Sequence, residues 1–162
     1  MEEQNFVLQL ITDRTQDDVN YVLSLADKWR RGTISESEKT EWLAGLKGAY
    51  NASDLNRVGA AMEYVEARLK EAGYRISVTP KTDWNTQDVP NDNLMLQYLM
   101  CVSTLRDVIP LLSTTPQVPT DMQKFTYKEA NDIEKILKDI DMLLTNAAKS
   151  KVFSGEFYAG EI

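Results

Sequence analysis

The chain has 162 residues, 25 acidic against 18 basic side chains, a net charge of −7 and no histidine. That balance excludes non-specific nucleic-acid binding, which needs clustered Lys and Arg to neutralise phosphates, and the missing histidine removes the usual metal ligand and the usual general base at neutral pH. No apolar run approaches the roughly 20 residues of a membrane helix, which argues against membrane insertion, and the single cysteine, Cys101, excludes an intrachain disulfide.

Taken in order, the start is acidic before its apolar run, the reverse of a secretory signal. Phe6 to Ile11 reads as a short strand or an arm on a neighbour. Thr15 is a candidate N-cap, with Asp17 and Asp18 at the positive end of the helix dipole. Val19, Val22, Ala26 and Trp29 then form the expected buried stripe, and Gly32 ends the helix. Ser35 and Glu38 make a capping box for a second, shorter helix carrying Trp42 and Leu43. Gly45 and Gly48 mark a corner, and Asn51 or Ser53 caps a long helix whose seam is Leu55, Val58, Met62, Val65 and Leu69. Glu66 is read as lying on its opposite face. Gly73 supplies the stop.

Tyr74, Ile76 and Val78 alternate with Arg75, Ser77 and Thr79, which is strand periodicity. A loop rich in Asn, Asp and Pro follows. The next helix spans about 93–109 with Met95, Tyr98, Val102, Leu105 and Ile109 on its seam, and Pro110 blocks its continuation. After an extended connector, Thr126 and Glu129 form another capping box. The last helix carries Ile133, Ile136, Ile140, Leu143 and Ala147.

The expected fold is therefore mainly α: a bundle of four long helices plus one short helix, with minor strands at 74–79 and at the termini. It divides into an N-terminal arm or strand at 1–12, the bundle at 13–149 and an aromatic, glycine-containing tail at 150–162.

Chemistry is sparse. Asp83 to Asp88 begins like a calcium loop, but its sixth and twelfth positions hold Asp88 and Leu94 instead of glycine and glutamate, so a capped turn is the better reading. Asp132, Glu134, Asp139 and Asp141 alternate with lysines and read as a solvated, ion-paired face. Cys101 lacks an activating base and reads as a small buried residue. Gly45 and Gly48 lack the lysine and hydroxyl residue of a phosphate loop. No catalytic, cofactor-binding or metal residues are assigned, and no enzyme activity is expected. The interface candidates are Trp84, whose place in a loop suits an interface anchor or local packing equally, and Phe153, Phe157 and Tyr158 in the tail, which reads as a strand donated to a neighbouring subunit in preference to one that covers its own bundle.

Several strings recur together in order over most of the chain: DRTQDDV at 13–19, EWLAGLKGAYNASDLNRVG at 41–59, KTDW at 81–84, TYKEANDIEKIL at 126–137 and the closing SGE-x-Y-x-GE at 154–161. Together they resemble a helical module of structural proteins of tailed bacteriophages and prophages of Gram-positive bacteria, found in tail, baseplate or fibre regions. The resemblance implies a non-enzymatic virion component, assembled in the host cytoplasm, whose partners are copies of itself and other virion proteins. The alternative is a prophage-encoded soluble cytoplasmic adaptor.

Overall fold

A computed structural model describes residues 9–155, with the side chains of 9–151. Five helices follow one another: α1 (Gln16–Arg31), α2 (Glu36–Ala44), α3 (Ala52–Glu71), α4 (Asp92–Arg106) and α5 (Tyr127–Gly155). No strand occurs among the described residues.

The boundaries follow from local chemistry. The side chains of Thr15, Ser35 and Asn51 each accept from a backbone N–H in the first turn, while Asp18, Glu38 and Asp54 reach back to the cap's own N–H. Asn91 caps α4 by accepting from the Leu94 N–H at 3.0 Å. Gly32 closes α1 in the left-handed region, φ 70°, where a Cβ would be strained.

The core lies between α3, α4 and α5, each of which packs on the other two. Val58, Met62, Val65 and Leu69 of α3, Val102 and Leu105 of α4, and Ile133, Ile136 and Ile140 of α5 are fully buried. On α5 the lower seam differs from the expectation. Leu144 is buried, Leu143 is half-buried and Ala147 is exposed, because the inward stripe continues from Ile140 by a step of four. Glu66, expected on the outer face of α3, is instead buried. It sits beside Val65 at the edge of the core stripe and pairs outward with Lys70 at 2.6 Å.

Two expectations need larger correction. First, α1 is not a fourth core helix. Of its residues only Leu25 is buried; Val19, Val22 and Ala26 are half-buried and Trp29 is 46% exposed. Its stripe faces the nine-residue α2, which is too short to cover it. The two form a hairpin held by Trp29 against Trp42 at 6.1 Å, Tyr21 Oη donating to Glu41 at 2.6 Å, and Lys28 paired with Glu38. Second, Tyr74 to Thr79 is extended but pairs with no strand among the described residues. Ile76 and Val78 turn inward against the core while Arg75, Ser77 and Thr79 face out. The two-residue period reported extended backbone lying on a surface, and a helical surface satisfies that as well as a sheet does. Gly59 lets the chain just after this strap pass over α3: a Cβ there would come within 2.9 Å of the Lys81 carbonyl oxygen.

The first half of the expected strand at Phe6 to Ile11 lies outside the described residues; Gln9 to Ile11 are not in a strand. Helix α5 continues to Gly155, past the boundary at 149, so the first part of the expected tail is helical.

The hairpin has a built-in acid sensitivity. The Lys28 ammonium, then the Ser35 backbone N–H, hold the Glu38 carboxyl down at about 2, from an ordinary 4.5. A depressed folded-state value means stabilisation that is present above the ordinary value and lost as pH falls toward about 2. An acid titration of tryptophan fluorescence should therefore show a transition in that window, reporting the Trp29–Trp42 contact. Glu38→Gln should remove it, and a transition that persists unchanged would place its origin elsewhere.

Candidate functional site

The densest polar feature of the molecule is a buried ionic knot where the N-terminal segment, the 45–50 corner, α3 and α5 meet. Glu134, fully buried on α5, accepts from Arg14 Nη2 at 2.8 Å and from Arg57 at 3.1 and 3.2 Å, and also from the Ile11 N–H. Asp54 takes a further bond from Arg57 Nη2 at 2.7 Å and lies 3.4 Å from Arg14 Nη2. Burial pushes the Glu134 carboxyl up, and Arg14 followed by Arg57 pulls it back.

The guanidiniums also hold backbone. Arg57 Nη1 donates to the Gln9 carbonyl at 2.8 Å, Arg14 Nη1 to the Ile11 carbonyl at 2.9 Å, and Arg14 Nε to the Lys47 carbonyl at 3.0 Å. Asn131 completes the clamp by accepting from the Arg14 N–H at 3.0 Å and donating to its carbonyl at 2.9 Å. The Arg14 guanidinium stacks over Tyr50, 5.5 Å from the ring centre. Tyr50 and Tyr98 in turn share a hydroxyl–hydroxyl bond at 2.6 Å, and burial raises both phenols.

Chemically the knot is saturated. Both carboxylates are occupied by arginines that cannot give up their charge, and among the described residues no nucleophile with an adjacent base stands beside them. Among the described residues no group of three or more Cys, Asp or Glu is placed to hold a metal ion. The knot pins the root of the hairpin to the three-helix body.

The acidic run on α5 is thus not one solvated face. Glu134 and Asp139 are buried; Asp139 accepts from Thr115 Oγ1 at 2.6 Å and from Lys135 at 2.8 Å, while Asp141 pairs with Arg68. Sequence reasoning missed this inward use because lysines at three and four residues suggested surface pairing. The available signal was position: Glu134 directly follows Ile133 and lies between the seam residues Ile133 and Ile136.

Trp84 is not an exposed interface anchor. It is only 5% exposed, with the Lys81 ammonium 5.2 Å from its ring centre, and Asn56 of α3 grips its backbone from both sides: the Trp84 N–H donates to Asn56 Oδ1 at 2.7 Å and Asn56 Nδ2 donates to the Trp84 carbonyl at 2.8 Å. The local-packing reading is the correct one there. Asn56→Ala leaves both backbone groups without these partners and should destabilise the protein by about 2 kcal/mol, with the Trp84 emission shifting red; an unchanged melting curve would show that the clamp contributes nothing.

Asp83 to Asp88 is a capped turn: the Asn85 N–H donates to Asp88 at 3.0 Å and the Gln87 N–H to Asn85 at 2.9 Å. Cys101 is buried, and burial pushes its thiol up, away from reactivity. Phe157 and Tyr158 lie outside the described residues. Phe153 falls within α5, but its side chain is also outside the description.

Shallow clefts flank the 44–48 corner. The one at the hairpin root, about 310 Å³, is lined by Tyr21, Leu46, Asp18, Glu41 and Lys47. No described helix is long and apolar enough to cross a membrane. Comparison of the chain with protein-family models, with curated proteins and with solved structures gives no match. Fold and knot together define a helical protein with a three-helix core, an ion-pinned hairpin and polar groups committed to its own architecture.

Proposed function

We propose that this chain is a non-enzymatic structural component of a bacteriophage virion, of the tail or the baseplate and fibre region, that assembles through subunit contacts. The reading rests on the ordered strings that resemble the phage helical module. One structural observation supports its mode of action: large apolar side chains stand exposed on the hairpin, with Leu23 61%, Leu43 79% and Trp29 46% accessible. A hairpin rooted in a rigid knot and carrying such groups at its surface suits packing against other protein. The acidic body keeps unassembled copies from non-specific aggregation.

The test is protein mass spectrometry of particles purified after induction of a strain that carries the gene. The protein present in intact particles at a fixed ratio to other particle proteins supports a virion component. Recovery only in the soluble host fraction would overturn it and favour the cytoplasmic adaptor.

A further inference from the structure

One buried donor is not committed to the fold. Among the described residues, Trp84 Nε1 is the buried side-chain nitrogen or oxygen left without a hydrogen-bond partner. A buried N–H in that state has lost its water and gained nothing, and native proteins keep few of them. Trp84 also lines a cleft of about 330 Å³ between the start of α3 and the 84–90 loop. Tyr50, Leu55, Trp84 and Pro90 give this cleft aromatic and apolar walls, with Asn51 and Thr86 beside them. The amide oxygens of its side chains are already engaged: Asn51 Oδ1 takes the Ser53 N–H at 2.9 Å, and Asn85 Oδ1 takes the Gln87 N–H at 2.9 Å. Asp88 is held by the Asn85 N–H at 3.0 Å and by Lys81 at 3.5 Å.

We infer that this cleft binds a proline-rich segment of another protein in the extended polyproline conformation, with one of its carbonyls accepting from Trp84 Nε1. The chemistry of the site selects the occupant. A donor without a partner calls for an acceptor. An anion is disfavoured there, because Asp54 stands in the first turn of α3 and Asp88 lines the cleft. A neutral carbonyl avoids that repulsion. An ordinary peptide brings an N–H with every carbonyl, and the engaged oxygens of the cleft are poorly placed to accept it. Proline has a carbonyl and no N–H, and its ring packs against aromatic walls as in other grooves that take such segments. The segment is stiff before it binds, so little conformational freedom is lost. Trp84 Nε1 lies beneath the surface of the cleft. The 85–90 stretch, exposed except at the half-buried Asp88, therefore shifts when the carbonyl arrives. Such a site serves a virion component and a cytoplasmic adaptor alike, so its failure would leave the virion reading standing.

The test is a titration of the full, 15N-labelled chain with a capped hexaproline peptide, followed by NMR. The three tryptophans give three indole N–H signals, and Trp29→Phe and Trp42→Phe assign that of Trp84 by elimination. Hexaproline should move the Trp84 signal downfield to a plateau, with a Kd of roughly 1 mM, while a Gly-Ser peptide of the same length moves it little. Trp84→Phe keeps a ring and removes the donor. Read from backbone amide shifts, it should bind hexaproline about fivefold more weakly. If that variant does not fold, Thr86→Phe, at an exposed position lining the cleft, narrows the cleft and should weaken binding in its place. A Trp84 signal that stays put at several times that concentration, its indole proton held by an internal water only, would overturn the site. Equal responses to the two peptides would overturn the choice of proline, and undiminished binding by the variants would overturn the location.

Discussion

Glu134→Ala should lower unfolding stability by about 3–5 kcal/mol, the range for removing one partner of a buried ion pair. Without the carboxylate, Arg14 and Arg57 keep their charges, since guanidinium does not deprotonate in proteins. Asp54 alone then faces both, at 3.4 and 2.7 Å. The Ile11 N–H also loses its acceptor. The damage should be local before it is global. The N-terminal segment and the root of the hairpin are held by groups that Glu134 orients, so cleavage after Arg14 by trypsin should accelerate more than cleavage at Arg68 on α3. Urea denaturation gives the magnitude, and timed proteolysis gives the place. A loss below about 1 kcal/mol, the level of an exposed pair, would show that the knot is not what holds the arm.

The contrast with the apolar core explains what could be read beforehand. The seam of α3 was legible because burial of Leu55, Val58, Met62, Val65 and Leu69 follows from spacing alone. The N-caps were legible for a similar reason: a side chain three residues from its partner folds onto it whatever the rest of the chain does. The knot was not legible, because its members lie at positions 14, 54, 57 and 134 and meet only through tertiary structure. Local pattern assigns an arginine or glutamate to solvent, and nothing within one helical turn says otherwise. Helix α1 fails in a different way. Its stripe says that one face is turned to something, and the pattern is the same whether the partner is a bundle or a nine-residue helix. At Tyr74 to Thr79 the alternation gave the extended backbone and its inward face, while the absence of a second matching strand among the described residues could be settled only by the fold.

The attachment of the hairpin depends on one more residue, and the substitution there tests whether the hairpin is a rigid part of the molecule. Gly48 lies where the 45–50 corner crosses the start of α1. A Cβ at that position would stand 2.2 Å from the Asp18 carbonyl oxygen, 2.3 Å from its carbon and 2.6 Å from the Val19 nitrogen. These are backbone atoms of a capped helix, so no rotamer change relieves the contact. Either the corner or the first turn of α1 must move. Around that point Arg14 Nε holds the Lys47 carbonyl, and Lys47 pairs with Asp13 at 3.0 Å, so a shift of the corner pulls on the knot as well. Gly48→Ala should therefore destabilise the protein by about 3 kcal/mol, the top of the usual range for overpacking. Gly45→Ala is the informative comparison. A Cβ there meets nothing within 4 Å, and its φ of 97° makes the penalty one of backbone strain instead of contact. The two should differ in kind: Gly45→Ala lowers the melting temperature while leaving the Trp29–Trp42 fluorescence in place, whereas Gly48→Ala shifts that fluorescence even under conditions where α3, α4 and α5 remain folded. Equal stability for Gly48→Ala and wild type would mean that α1 is free to move away from the corner, and that the hairpin is carried by the knot alone.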